Sequence, residues 1–481
     1  MNNTHSTTDK VIVRMPPSPT GPLHLGTART ALFNWLFKNK HNGQMIFRWE
    51  DTDKERSKTE FETAILDGLK WIGMDFMATS TFYRQTENLE THKEYRQKLW
   101  EAEKIFPCFT TKESINDMRE AANKARTGFV FWSPDRDLSA DEANKKIDSG
   151  EHHVWRFKTP KDFVIQFTDD IRGDIEVNAR TIGDFAVARG DGSVLYMLAN
   201  VVDDATQGIT HVIRGEDHVS NTPKQVLLYA ALGFATPTFA HIPLVLDKNR
   251  KKLSKRNVDP TVCVLMPDFQ KAGFLPEAVV NGLAFLGWNP GTTEEIFSLE
   301  ELCNVFSLEK VNAAAAQYDF DKMLWFNAQW MRKLPAEKIQ NYYQEFSGKN
   351  IEVEAIAVAR QKAKTLVGLT AELEYLITDP GFDADIFLHK KMCPTHAEAK
   401  KILSEILPML EQVDEADFLA AKIKEVSVAK IAELGLKNGQ FLWPFRAALS
   451  NRPGSAGPFD IPAVIGKNET VKRIKRAIES L

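Results

Sequence analysis

The 481-residue sequence predicts an α/β protein: an open parallel sheet interrupted by a long insertion and followed by an all-helical C-terminal part. Three observations predict it. A short β-branched run, Val11, Ile12 and Val13, passes through a Pro/Ser/Gly loop into ARTALFNWLF, where Ala28, Ala31, Leu32, Trp35 and Leu36 recur at helical spacing. From about Phe82 this alternation lapses for about a hundred residues, too long for an ordinary connection between elements. Beyond about Pro260 the apolar pattern is helical to the end, with Pro and Gly expected mostly at the joints.

Composition sets the bounds. A hydrophobic content of 43% over this length can bury more than one core, and length alone suggests about three domains. A formal net charge of −4 excludes a uniformly basic nucleic-acid coat, so any RNA contact must come from local basic strips. MNNTHSTTDK carries neither the apolar core of a signal peptide nor an Arg-rich transit pattern, and no apolar run is long enough to span a bilayer. A cytoplasmic protein with no membrane partner is expected. Cys108, Cys263, Cys303 and Cys393 are scattered without paired spacing, which argues against a disulfide framework and a Cys-rich zinc site. Cys393 and His396 form a lone C-x-x-H pair, too little for a ligand set.

Each element then has its own signal. Pro16 to Pro22 ends the first strand, and a helix is expected near Gly26, with His24 just before it; the free N–H groups at such a helix start can receive an anion. In GQMIFRWEDTD, Ile46 and Phe47 supply a second strand, and Glu50, Asp51 and Asp53 crowd its carboxyl end, where substrate-binding carboxylates belong in a parallel sheet; an acidic turn capping a helix from Thr59 is the alternative. The insertion opens with the polar helix NLETHKEYRQKLWEAEK and continues in short alternating segments, HVWRFK and FVIQFTDDIRGDIEVNA. Arg156, Arg172 and Arg180 are candidate RNA contacts there, against the alternative of solvated surface charge. Asp191-Gly192 signals a hairpin. Asp203-Asp204 reads as a capping, solvated pair, with metal binding or general acid/base work as the alternative. GITHVIRGED is a strand ending at Arg214, the helix after it is expected to be capped by Ser220, Asn221 or Thr222, and FAHIPLVLD reads as one further buried strand. It runs into six cationic residues, Lys248, Arg250, Lys251, Lys252, Lys255 and Arg256, which taken alone fit a solvated loop.

Two strings carry a resemblance. PSPTGPLHLGT (Pro17, Ser18, Pro19, Thr20, Gly21, His24, Gly26, Thr27) resembles the first signature of class I aminoacyl-tRNA synthetases in its glutamyl form. KLSKR (Lys252, Leu253, Ser254, Lys255, Arg256) resembles the second, and about 230 residues separate the two in the expected order. RWEDTD and YMLANVVDD are similar to further segments of the same family. Trp49 stands where an aliphatic residue is usual, Pro16 where a small one is, and NVDP where His-Gly-Ala is commoner.

The resemblance implies a glutamate–tRNA ligase of bacterial type. Its expected fold is a Rossmann-like catalytic domain in two halves (1–81 and 186–260) around an inserted α+β acceptor-binding domain (82–185). A stem-contact domain (261–335) and an α-helical anticodon-binding domain (336–481) would follow. Thr20, His24, Gly26, Thr27, Lys252, Ser254 and Lys255 would hold ATP, with His24, Lys252 and Lys255 catalytic. Arg14, Ser18, Glu50, Tyr196, Asn200 and Arg214 would hold glutamate. Paired guanidinium groups suit a carboxylate side chain and leave uncompensated charge against an amide; Arg14 or Arg214 as an ordinary ion-pair partner of Asp217 or Glu50 is the alternative. Magnesium would travel with ATP. Some relatives hold zinc through Cys-x-Cys, but here Cys108 is followed by Phe109 and Thr110, so no structural zinc is expected. The expected partners are tRNA-Glu, L-glutamate and ATP, and the expected state is a monomer. The rivals are an enzyme that also charges tRNA-Gln and a non-catalytic RNA-binding regulator. Arg446, Lys472, Arg473, Lys475 and Arg476 are candidate RNA contacts in the last helices, against a solvated helix face.

Overall fold

A computed structural model describes residues 10–53, 55–253 and 262–481. The described chain forms two compact units, 1–267 with 280–319, and 268–279 with 320–481. No helix among the described residues is long and apolar enough to cross a membrane.

The first unit is built on parallel strands. β1 (Ile12–Met15) pairs with β2 (Gln44–Trp49), and β2 with β3 (Thr81–Arg84), all parallel. Helix α1 (Leu25–Lys40) makes the crossover, burying Ala28, Ala31, Leu32 and Leu36. Two strands of the insertion, β4 (Ile105–Cys108) and β5 (Val154–Phe157), form an antiparallel sheet with β8 (Ala186–Arg189). The hairpin of β6 (Val164–Asp169) and β7 (Gly173–Asn178) instead joins β9 (His211–Gly215) and β10 (Thr238–Ile242) in the order β7-β6-β10-β9. β6 lies parallel to β10 with Asp169 opposite Phe239. The amide of Thr210, just before β9, donates to the Ile12 carbonyl at 2.9 Å and brings β9 alongside β1. The carboxyl ends of β1, β2 and β9 carry Arg14, Glu50 and Arg214.

Three sequence expectations need correction here. FAHIPLVLD is two strands, because Pro243 has no N–H to continue a ladder: β10 stops at Ile242, and β11 (Val245–Leu246) pairs with β12 (Ala316–Gln317). Helix Thr222–Leu232 has no side-chain cap at Asn221, since the 3-10 turn Glu216–Asn221 feeds directly into it. Asp203 and Asp204 neither cap nor face water; they lie late in helix Tyr196–Thr206 and are buried.

The Asp191-Gly192 turn has its hairpin geometry, with Gly192 at φ +85° and the Arg189 amide donating to the Ser193 carbonyl at 2.8 Å. In the second unit Pro408 and Pro444 sit inside helices His396–Glu411 and Asn438–Ser450 rather than at joints. Helix Asp460–Ser480 is kinked at Gly466, φ +81°. Arg473 of that helix is buried and donates to the carbonyls of Tyr375, Leu449 and Thr378, so it ties helices together and is not available to RNA.

Candidate active site

The carboxyl ends of β1 and β9, the start of α1 and the hairpin after β10 enclose a cavity of about 310 Å³. Its walls include Arg14, Pro17, His24, Gly26, Thr27, Arg214, Lys252 and Leu253. Segments more than two hundred residues apart in sequence thus share one cleft. Ser254, Lys255 and Arg256 lie outside the described residues.

One end of the cavity starts at His24, the N-cap of α1. Its Nδ1 accepts from the Gly26 amide at 3.1 Å, which leaves Nε2 as the protonated nitrogen of the neutral ring. The first turn holds no acidic residue, so nothing there opposes an anion at the helix start. A Cβ built on Gly26 would meet only His24 Nδ1, at 3.6 Å; the glycine is not required by packing and keeps the cavity wall low. Lys252 is presented by a hairpin in which the Leu253 amide donates to the Val245 carbonyl at 2.9 Å. Its ammonium pairs with Asp217 at 2.8 Å, both side chains being well exposed at 61% and 45%. Arg29, buried below, donates to the carbonyls of Leu286 and Pro243, and burial lowers it to about 10.

The other end is dry and densely bonded. Arg14 reaches the Ile213 carbonyl at 3.3 Å and Asp204 at 3.5 Å. Arg214 donates from Nε to His241 Nε2 at 3.0 Å, and from Nη2 to Thr222 Oγ1 at 2.8 Å and Gln225 Oε1 at 2.7 Å. Its Nη1 is buried and has no partner among the described residues. Burial and the neighbouring Arg14 weaken the hold of Arg214 on its proton. Neither arginine is the surface partner of Asp217 or Glu50: Lys252 takes the former and Arg48 approaches the latter at 3.6 Å.

Glu50, Tyr196 and Asn200 stand behind this wall. Asn200 donates to Glu50 Oε1 at 3.2 Å, and the Tyr196 hydroxyl bonds His218 Nδ1 at 3.2 Å. Burial raises the Glu50 carboxyl above its ordinary value against the pull of Arg48 and Arg14, and drives the Tyr196 phenol up to about 12. Burial and the charge of Arg214 press His218 down to about 4. Ser18 and Thr20 are exposed on the loop, where the Thr20 amide donates to the Ser18 carbonyl at 2.8 Å.

The profile of the family "tRNA synthetases class I (E and Q), catalytic domain" matches residues 10–325, and that of "Anticodon binding domain" matches residues 320–478. This chain belongs to the class I glutamyl and glutaminyl tRNA synthetases. Among its curated relatives, "Glutamate--tRNA ligase 2" of Caldicellulosiruptor saccharolyticus is 38% identical, across 98% of this synthetase and 99% of the relative. "Glutamate--tRNA ligase 1" of Caldanaerobacter subterraneus subsp. tengcongensis is also 38% identical, across 98% of each. A crystal structure of a glutamate tRNA ligase from Elizabethkingia meningosepticum, in complex with its amino acid, matches with a TM-score of 0.85 at 32% identity, covering 98% of this synthetase and 100% of that chain.

The synthetase also uses residues that its signatures do not disclose. Arg48, fully buried on β2, pairs with Asp204 at 2.8 Å and approaches Asp203 at 3.9 Å. Asp203 further accepts from Gln85, Asn88 and His92; although burial works against ionisation, these donors and Arg48 hold its carboxyl below the usual range. A charged residue inside the apolar run MIFRW was the available signal, because a strand covered on both faces can carry a charge only if a buried partner awaits it. Arg156, Arg172 and Arg180 of the insertion are engaged within the chain, by the Asp184 carbonyl, Glu216 and Asp162. Among the described residues no group of three or more His, Cys, Asp or Glu side chains is placed to hold a metal ion.

Proposed function

We propose that this synthetase is a glutamate–tRNA ligase working at the cavity between α1, β9 and the Lys252 hairpin. One observation carries the reading most: a buried, unpartnered guanidinium edge, Arg214 Nη1, on the same wall as Arg14, with an anion-accepting helix start and Lys252 on the rest of the cleft. Buried donors are costly unless met, and a carboxylate side chain meets them with charge as well as hydrogen bonds. Glutamine would present an amide nitrogen to one donor and bring no charge to offset Arg214.

The substrate's side-chain carboxylate is assigned to Arg14 and Arg214, and its ammonium to Glu50, with Ser18, Tyr196 and Asn200 completing the amino-acid site. An α-carboxylate oxygen attacks the α-phosphorus of ATP, the bond to the pyrophosphate oxygen breaks, and glutamyl-adenylate forms. The terminal tRNA hydroxyl then attacks the acyl carbon and AMP leaves. No protein nucleophile is needed, because alignment and charge neutralisation do most of the work in such transfers. His24 and the start of α1 fit phosphate oxygens, and Lys252 fits charge growing on pyrophosphate. Thr20, Gly26, Thr27, Ser254 and Lys255 belong to the same assignment from their place in the signatures. Magnesium is assigned to the nucleotide it arrives with, and no resident zinc is assigned. The domain division at 82, 186, 261 and 336 belongs to this proposal too, the last part reading the anticodon.

Aminoacylation of purified tRNA-Glu and tRNA-Gln, with glutamate and glutamine supplied separately, tests it. Glutamate transfer to tRNA-Glu is expected. Transfer to both tRNAs would make the enzyme non-discriminating, and no transfer with either amino acid would leave the regulator reading instead.

A further inference from the structure

Arg214 has five N–H groups, and three of them are already committed on one side. Nε–H points to His241 Nε2, and the two hydrogens of Nη2 go to Thr222 Oγ1 and Gln225 Oε1. Only the Nη1 pair is left over. An imidazole nitrogen can accept from Arg214 only if the ring's proton sits on the other nitrogen. His241 Nδ1 lies 2.5 Å from Asp169 Oδ2, and the same carboxylate receives the His241 backbone amide at 3.1 Å. Asp169 therefore keeps the proton on Nδ1 and the lone pair of Nε2 turned to Arg214. Asp169 is itself fixed, since its Oδ1 accepts from the amides of Ile171 and Arg172, each at 3.0 Å. The opposite side is equally directional. With Gln225 Oε1 taken by Arg214, its Nε2 donates to Asn200 Oδ1 at 2.8 Å, which turns the Asn200 amide nitrogen to Glu50. Every member is buried except Glu50, which is 13% exposed.

We propose that Asp169, His241 and Gln225 are positioning residues for amino-acid selection, a hydrogen-bond chain running from Asp169 to Glu50 that holds Arg214 with only its Nη1 edge turned to the substrate. The inference rests on the reading of the cavity as the glutamate site. None of the three touches substrate; they act through Arg214 and Asn200. A proton moved to Nε2 would face the Arg214 Nε–H and break that bond, leaving only the Thr222 hydroxyl, 3.1 Å away, to receive it.

The experiment is ATP–pyrophosphate exchange with tRNA-Glu present, measured for Asp169→Asn, His241→Gln, His241→Asn and the double variant D169N/H241Q. Asp169→Asn offers an amide donor to Nδ1, moves the ring proton to Nε2 and sets it against Arg214 Nε–H. The KM for glutamate is expected to rise about 30-fold or more, while the KM for ATP changes by less than about twofold. Glutamine reaches the place of the histidine Nε2 with an acceptor and asparagine does not, so His241→Gln keeps most glutamate affinity and His241→Asn loses it. In the H241Q background the Asp169→Asn change adds little, since no tautomer remains to be set. Equal losses in H241Q and H241N, parallel rises in both KM values, or additive effects in the double variant overturn the inference. Wild-type enzyme inactive with glutamate overturns the functional reading and this one together; active wild type with a D169N variant of normal glutamate KM overturns this one alone.

Discussion

The two ends of the cavity are made in opposite ways. At the proposed amino-acid end Arg14, Arg48, Arg214, Asp203 and Asp204 are buried and held by partners within the chain. At the phosphate end Lys252 is 61% exposed and held by one surface carboxylate, Asp217. A buried set of donors discriminates because a wrong ligand leaves groups unpaired; an exposed ammonium is cheap to move and can follow charge as it shifts to the leaving group. Choice of amino acid is thus assigned to the rigid wall and chemistry to the adjustable one.

Arg214→Ala breaks that comparison most directly. Removing the unpaired Nη1 donor of Arg214 is expected to lower kcat/KM for glutamate by about 10³-fold with ATP affinity nearly unchanged, as read by exchange kinetics at varied glutamate and ATP. Gly26→Ala comes next. The helix start has room for a methyl group, so the melting temperature should hold, while ATP affinity should fall by about tenfold or more if phosphate binds at this helix start as proposed. Equal losses of stability and affinity would assign that glycine to packing.

Asp217→Asn sharpens the contrast from the flexible side. An exposed ion pair is worth under about 1 kcal/mol, so freeing Lys252 should alter the ATP KM by less than about fivefold, and added salt should erase the difference. The last prediction concerns stability and not catalysis. His218 has its folded value depressed to about 4 from an ordinary 6.5, so the unfolded chain binds its proton first as pH falls. Its contribution is complete above pH 6.5 and is lost progressively down to pH 4. A His218→Gln variant should therefore show a shallower fall of melting temperature across that window than the parent.

Legibility in the sequence followed the same divide. The α1 loop, the strand ends bearing Arg14, Glu50 and Arg214, and the basic hairpin were readable because turn residues and signature strings mark them locally. The supporting wall was not. Adjacent acids such as Asp203 and Asp204 read as solvated when only neighbours in sequence are considered, and their partner Arg48 lies more than 150 positions away. His241 is one polar residue in an apolar run, and the run is equally hydrophobic on either side of Pro243, so no change of pattern marks the break there. Such features depend on which strands become neighbours, and no periodicity reports that.

One of those neighbourhoods bears on how the protein can be trimmed. The β6–β7 hairpin belongs by chain order to the insertion, yet β6 is stitched onto β10 and delivers Asp169 beneath His241. A shortened enzyme with residues 82–185 excised would keep both signatures and lose the foundation of its substrate wall. Minimal versions of this scaffold must retain the hairpin even where the rest of the insertion is discarded.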